Sequence, residues 1–341
     1  MPVNFYSFED VDAPALPNVS SQRFIDNLKL ILKACLVDGY GDKPGAGWAI
    51  GHEHADGISF GNGDGYINFV AAPGYPHNAV VMYIMESLTD TSAALATGVN
   101  RRSGTWYEGQ TTPSRQVLYS NGFNATNINK AWWVVADERT AIFYQSAGVT
   151  TVNPATSGGN AAIYFGEFET ALGSPGFTLL GGGYGGSTAA AATMFSAGYN
   201  PVGCCLRNPN TGLIEQGTDA AYGPLALQVS SLSTYSTTPR PPAGSKVTVV
   251  RQILRGLGVT VSGAYSTGVV APCGRLRGLV TIPELSDRAP TIAFPYLGVA
   301  SPVWQDRFRL LTGPEGGPLL LLTQHSADLT VFVSLDPQDW E

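Results

Sequence analysis

His52 and His54 stand two residues apart around Glu53, with Asp56, Asp64 and His77 close behind. If residues 50–55 are extended, both imidazoles project from one face, a spacing that can chelate a transition metal. No motif supplies a third ligand, the HExxH frame is missing, and imidazoles hydrogen-bonded in a polar loop are the competing reading. The chain is therefore read as holding no metal and no cofactor, with His52 and His54 the candidates to follow. GNGDGY (61–66) offers Asn62 and Asp64 as oxygen donors but lacks the calcium-loop template and its closing Glu, so it is read as a hairpin turn. Glu167 and Glu169 would share a strand face, whereas paired-carboxylate catalysis normally sets its carboxylates across a cleft. With neither a GxSxG elbow nor a GxxxxGK[ST] loop, the expectation is a protein that is not an enzyme.

Arg251, Arg255, Arg275 and Arg277 form the one basic concentration. On a strand, Arg275 and Arg277 would share a face that could meet an acidic patch of a neighbouring subunit, the alternative being a solvated sheet surface. Trp132 and Trp133 are further interface candidates. With Trp106 and Tyr107 they could also stack on sugars, and burial in a core is the alternative.

The elements that must carry these residues are mostly strands. One helix is expected over Ser21 to Asp38, where Phe24, Leu28, Ile31, Leu32 and Cys35 recur at helical spacing, capped by Ser20 or Ser21 and closed by Gly39. A compact loop should follow over 39–48, then strands at Tyr66 to Ala71 and Ala79 to Met85. WWVVADERTAIFYQ (132–145) reads as a hairpin turning at Asp137, Glu138 and Arg139. Later strands are expected at Ala161 to Phe168, Lys246 to Leu254, Arg277 to Ile282, Pro318 to Thr323 and Leu329 to Leu335. The fold class is mainly β, a β-sandwich-like architecture with one N-terminal helix packed on the sheet. It is taken as a single domain over 1–341, with a possible subdivision near 180–187 in the Gly-rich LLGGGYGGSTAAAATMF.

Composition sets the outer limits. At 341 residues and 44% hydrophobic the chain can bury a sizeable core, and its 13% of charged residues is about half the usual share. A net charge of −7 opposes binding to nucleic acid or to an anionic membrane. The acidic N-terminus does not resemble a secretory signal, and no apolar run is long enough to span a bilayer, so a soluble protein is expected. The four cysteines, Cys35, Cys204, Cys205 and Cys273, are read as reduced and buried. From Thr140 to Pro239 only Glu167, Glu169, Arg207, Glu215 and Asp219 are charged, a depletion expected of surfaces buried between subunits, the alternative being core strands joined by Ser/Thr/Asn-rich loops.

Six segments resemble a family of virion structural proteins encoded among the head and tail genes of tailed bacteriophages. They are MPVNFYSFEDVDAPAL (1–16), LKACLVDGYGDKPGAGW, NKAWWVVADERTAIFYQ (129–145), FGEFET (165–170), RLRGLV (275–280) and DPQDW (336–340). The resemblance implies a particle component in the tail, collar or baseplate, made in the host bacterial cytoplasm and present in several copies. Its partners would be other copies of itself and other virion proteins. Head decoration, or a module binding a host receptor or glycan, are the alternatives. No catalytic residue is carried over.

Overall fold

The computed structural model describes residues 2–17, 22–72, 79–103, 118–119, 132–145, 161–181, 203–207, 209, 212–213, 226–229, 250–257, 272–281, 310–312, 318–322 and 331–341. In chain order, β1 (Asn4–Ser7) precedes α1 (Phe24–Lys33), which runs on into a π-helical turn over Ala34–Asp38. A meander follows: β2 (Ala49–His54), β3 (Gly57–Gly61), β4 (Tyr66–Ala71) and β5 (Ala79–Met85). The ribbon β6 (Ser87–Asp90) and β7 (Thr97–Val99) leads to the short strands β8 (Arg102–Ser103) and β9 (Leu118–Tyr119). β10 (Trp132–Ala136) and β11 (Thr140–Gln145) make one hairpin, β12 (Ala161–Thr170) and β13 (Pro175–Gly181) another, and β14 (Gly203–Cys205) comes next. The rest are β15 (Ala226–Val229), β16 (Val250–Leu257), β17 (Pro272–Thr281), β18 (Leu310–Thr312), β19 (Pro318–Leu322) and β20 (Val331–Ser334), closed by a 3-10 turn at Pro337–Trp340.

These strands form a larger, twelve-stranded sheet ordered β1-β10-β11-β12-β17-β20-β19-β18, with β13 and β14 branching from β12 and β16 and β15 from β17. The smaller sheet runs β2-β3-β4-β5-β8, with β9 also on β5. Pairing at the centre of both is antiparallel. The two sheets meet across one apolar cluster: Trp132, Phe143 and Phe165 come from the larger, Phe60, Phe69 and Met82 from the smaller, and Phe24, Leu28 and Ile31 from α1. Phe69 and Phe165 touch edge to face at 5.7 Å, a geometry aromatic rings favour, and so tie the layers directly. The protein is thus mainly β and sandwich-like, with its helix packed on the sheet. Among the described residues no helix is long and apolar enough to cross a membrane.

α1 begins at Phe24, three residues later than its periodicity suggested, and Ser20 and Ser21 lie outside the described residues. Arg23 takes the N-cap position without a side-chain cap and instead pairs with Asp26 and Asp56. Gly39 has the expected positive φ of 77°, but its ψ of 172° sends the chain out extended rather than left-handed helical. The N–H groups of Ala46 and Gly47 satisfy the Cys35 and Leu36 carbonyls left free at the helix end, so the loop is held compact by the helix it follows.

The strands expected at Tyr66 to Ala71 and Ala79 to Met85 have those bounds. β10 shows why WWVVA has no alternation: Trp132, Val134 and Ala136 face the inter-sheet cluster, while Trp133 and Val135 face a second one built with Leu276, Leu279, Val333 and Trp340. The strand is apolar throughout because both of its faces are covered. The same burial accounts for the described strands of the charge-poor stretch. β11 is wholly buried and carries no charge, so its depletion comes from the chain's own interior rather than from a surface reserved for neighbours, while β12, buried over 163–168, holds Glu167 and Glu169. Much of 182–239, including the suggested subdivision near 180–187, lies outside the described residues.

Candidate functional site

The densest concentration of chemical groups is a buried ionic junction where four distant parts of the chain meet. The β10–β11 turn supplies Asp137, whose Oδ1 accepts from the backbone N–H groups of Arg139 (2.9 Å) and Thr140 (2.7 Å), so the carboxylate shapes the turn that carries it. Its other oxygen lies 2.6 Å from the Arg277 guanidinium on β17. That guanidinium also donates to Oγ1 of Thr140 at 3.1 Å and to the Trp340 carbonyl in the closing 3-10 turn, and stands 3.6 Å from Glu167 on β12. Arg139 reaches the same Glu167 at 3.3 Å. Two carboxylates and two guanidiniums balance, three of them buried and Arg139 reaching in from a partly exposed position.

Tyr164 links the parts. Its hydroxyl donates to the Glu167 carbonyl at 2.8 Å and accepts from the Arg277 N–H at 3.1 Å. Two glycines permit the close approaches. Gly166, at φ 116°, lets the Arg139 carbonyl come where a Cβ would stand, and Gly278, at φ 67°, makes room for the Trp340 indole.

Electrostatically the junction is closed to chemistry. Arg277 is 2% exposed, Asp137 1% and Glu167 7%, so no substrate proton has access to either carboxylate. Burial raises the Glu167 carboxyl above its ordinary value, with Arg139 and Arg277 acting in the opposite sense. Glu169 does not share this setting: its side chain is 43% exposed, 4.0 Å from Arg275. The two glutamates therefore do not face one another across a cleft.

The interface candidates separate in the same way. Arg275 remains on the surface, 60% exposed, while Arg277, two residues on, is taken inside by the C-terminal turn packed over it. Trp132 and Trp133 are fully buried in opposite cores, and Trp133 stacks on Tyr144 at 5.4 Å. Within this chain Arg277, Trp132 and Trp133 are framework residues, a correction to the expectation that they face a partner. Trp106 and Tyr107 lie outside the described residues, as do Lys246 and His77.

His52 and His54 do share a face of β2, their rings 6.3 Å apart. Nδ1 of His54 accepts the Asp56 N–H at 3.1 Å, so in the neutral imidazole of this arrangement Nε2 carries the proton. Among the described residues no three His, Cys, Asp or Glu side chains are grouped to hold an ion. GNGDG is a turn between β3 and β4, with Oδ1 of Asn62 accepting from the N–H groups of Asp64 and Gly65. Cys35, Cys204 and Cys205 are buried and unbridged, and burial pushes the Cys35 and Cys204 thiols well up, which keeps them unreactive.

Asp137, Thr140, Tyr164 and Trp340 were not singled out by residue chemistry. The signal for Asp137 was present: an acidic residue directly after five apolar ones in a strand covered on both faces. No protein-family model matches the chain, and no curated protein matches it.

Proposed function

We propose that the chain is a non-enzymatic structural subunit of a tailed-phage particle, associated with the tail, collar or baseplate and assembling with other virion proteins. The observation that carries this reading is where the six phage-like segments go. The opening segment lies as β1 on β10, and its Tyr6 hydroxyl donates to Pro44 in the helix-and-loop segment at 2.6 Å. From that segment Trp48 donates to the Asp137 carbonyl at 2.9 Å. The hairpin brings Asp137 and Arg139, FGEFET brings Glu167, RLRGLV brings Arg277 and DPQDW brings the Trp340 carbonyl.

Four of the six segments supply groups to one balanced, largely buried junction, Trp48 of a fifth donates to the Asp137 carbonyl, and the opening segment is tied to that fifth through Tyr6. What they hold in common is a way of bracing the larger sheet, which supports reading the chain as a load-bearing subunit. A receptor-binding reading has less support, since Trp132 and Trp133 are buried. Mass spectrometry of purified particles of the encoding phage tests the proposal. The polypeptide is expected among the structural proteins, and its absence from particles whose other components are all detected would overturn the assignment.

A further inference from the structure

The outer face of the smaller sheet carries a polar row in apolar surroundings. His52, Ser59, Asn68 and Tyr83 are successive cross-strand partners on β2, β3, β4 and β5, so their side chains leave the sheet on the same side. All four are buried. The cover is the β6–β7 ribbon with its loop. Leu88 packs over Gly51, the Ala94 backbone over Gly57 and Gly98 against Met85, while the Ala96 N–H donates to Oδ1 of Asn68 at 3.0 Å.

Two properties set this cover apart. First, the ribbon belongs to neither sheet: β6 and β7 pair only with each other, with a register break between Leu88 and Asp90, and an isolated two-stranded ribbon is marginal in water. Its base is tied by the partly exposed Glu86–Arg207 ion pair at 2.6 Å. Second, Nε2 of His52 and Oγ of Ser59, on residues directly opposite one another, are buried without a hydrogen bond. Lifting the ribbon hydrates both atoms, which offsets part of the cost of exposing its apolar underside. No such offset assists the opening of the all-apolar layer between the sheets.

We propose that the β6–β7 ribbon is a gate that opens as a unit ahead of the two sheets and admits water and small hydrogen-bonding solutes to the His52–Ser59 pair. The inference concerns local opening and does not depend on the particle role.

Hydrogen exchange on the intact chain, together with histidine modification by diethyl pyrocarbonate, tests it. The Ala96 amide is expected to exchange at least about tenfold faster than the paired amides of β4, and His52 to react under native conditions at a rate set by that opening. Asn68→Ala removes the acceptor that seats the loop and should raise both rates by about tenfold, and Glu86→Gln, which loosens only the base, by a few fold. An Ala96 amide protected to the level of β4, or a His52 that reacts only as the whole chain unfolds, would overturn the gate. Both measurements stand on the unmutated protein even if Asn68→Ala does not fold.

Discussion

The two sheets bury polar groups in different ways. In the larger sheet, Asp137, Arg139, Glu167 and Arg277 are matched in charge and tied to Thr140 and Trp340, and the junction atoms that make no hydrogen bond, Arg139 Nε and Glu167 Oε2, face one another as an ion pair. In the smaller one, His52 and Ser59 face no buried counter-charge in their row and leave an atom each without a hydrogen bond, although Asn68 beside them is satisfied twice, by the Ile58 carbonyl and the Ala96 N–H. The difference follows from magnitude. An uncompensated buried charge costs several kcal/mol, enough to consume much of a domain's net stability, whereas an unpaired hydroxyl costs about 1–3 kcal/mol and is tolerated where a cover is light. One cluster can serve as a brace, and the other can sit under something that moves.

The largest test of that contrast is Arg277→Met, which leaves Asp137 and Glu167 buried with only Arg139 nearby. Urea unfolding should show a loss of ~3–5 kcal/mol, and a loss below 1 would mean the junction braces nothing. Gly278→Ala forces a methyl group into the Trp340 indole at a positive φ, with an expected loss of about 1–3 kcal/mol and a visible change in tryptophan fluorescence.

A pH series sharpens the comparison further. Burial raises the Glu167 carboxyl above its ordinary 4.5, so the folded chain holds this proton more tightly than the unfolded chain. The associated penalty is complete above the raised value and shrinks as the pH falls through it toward 4.5. Urea midpoints of the unmutated protein, relative to those of Glu167→Gln, should therefore rise on acidification in that window. A relative fall would show that the two guanidiniums outweigh burial. The smallest effect belongs to the other sheet: Ser59→Ala deletes an unpaired hydroxyl and should leave stability unchanged or raise it by up to about 1 kcal/mol, where any comparable truncation in the junction destabilises.

Local structure was legible from sequence wherever local chemistry decides it. β4 and β5 have the expected bounds, and the 132–145 hairpin turns at Asp137, Glu138 and Arg139 as expected. Its strands are unmistakable because burial on both faces removes every charged residue from WWVVA and TAIFYQ. The junction was hidden for the converse reason. Asp137, Glu167, Arg277 and Trp340 are brought together by pairings of high sequence separation, and nothing local to RLRGLV distinguishes the exposed Arg275 from the enclosed Arg277. Similarly, the stretch from Thr140 to Pro239 was read as a surface for neighbours because composition reports that charge is missing without reporting which interior has excluded it, as the chain's own interior does at Thr140–Gln145. The backbone N–H of Asp56, which His54 accepts, is a partner that no spacing rule could place.

The Asp137–Arg277 pair also bears on how the chain comes to be folded during synthesis. The two partners are 140 residues apart, so on a ribosome the hairpin emerges on the order of ten seconds before the cation that neutralises its turn. Until then the Asp137 carboxylate lacks the guanidinium that neutralises it, and the Trp340 carbonyl arrives later still. A turn formed early in the chain is thus completed only by a residue 140 positions further on.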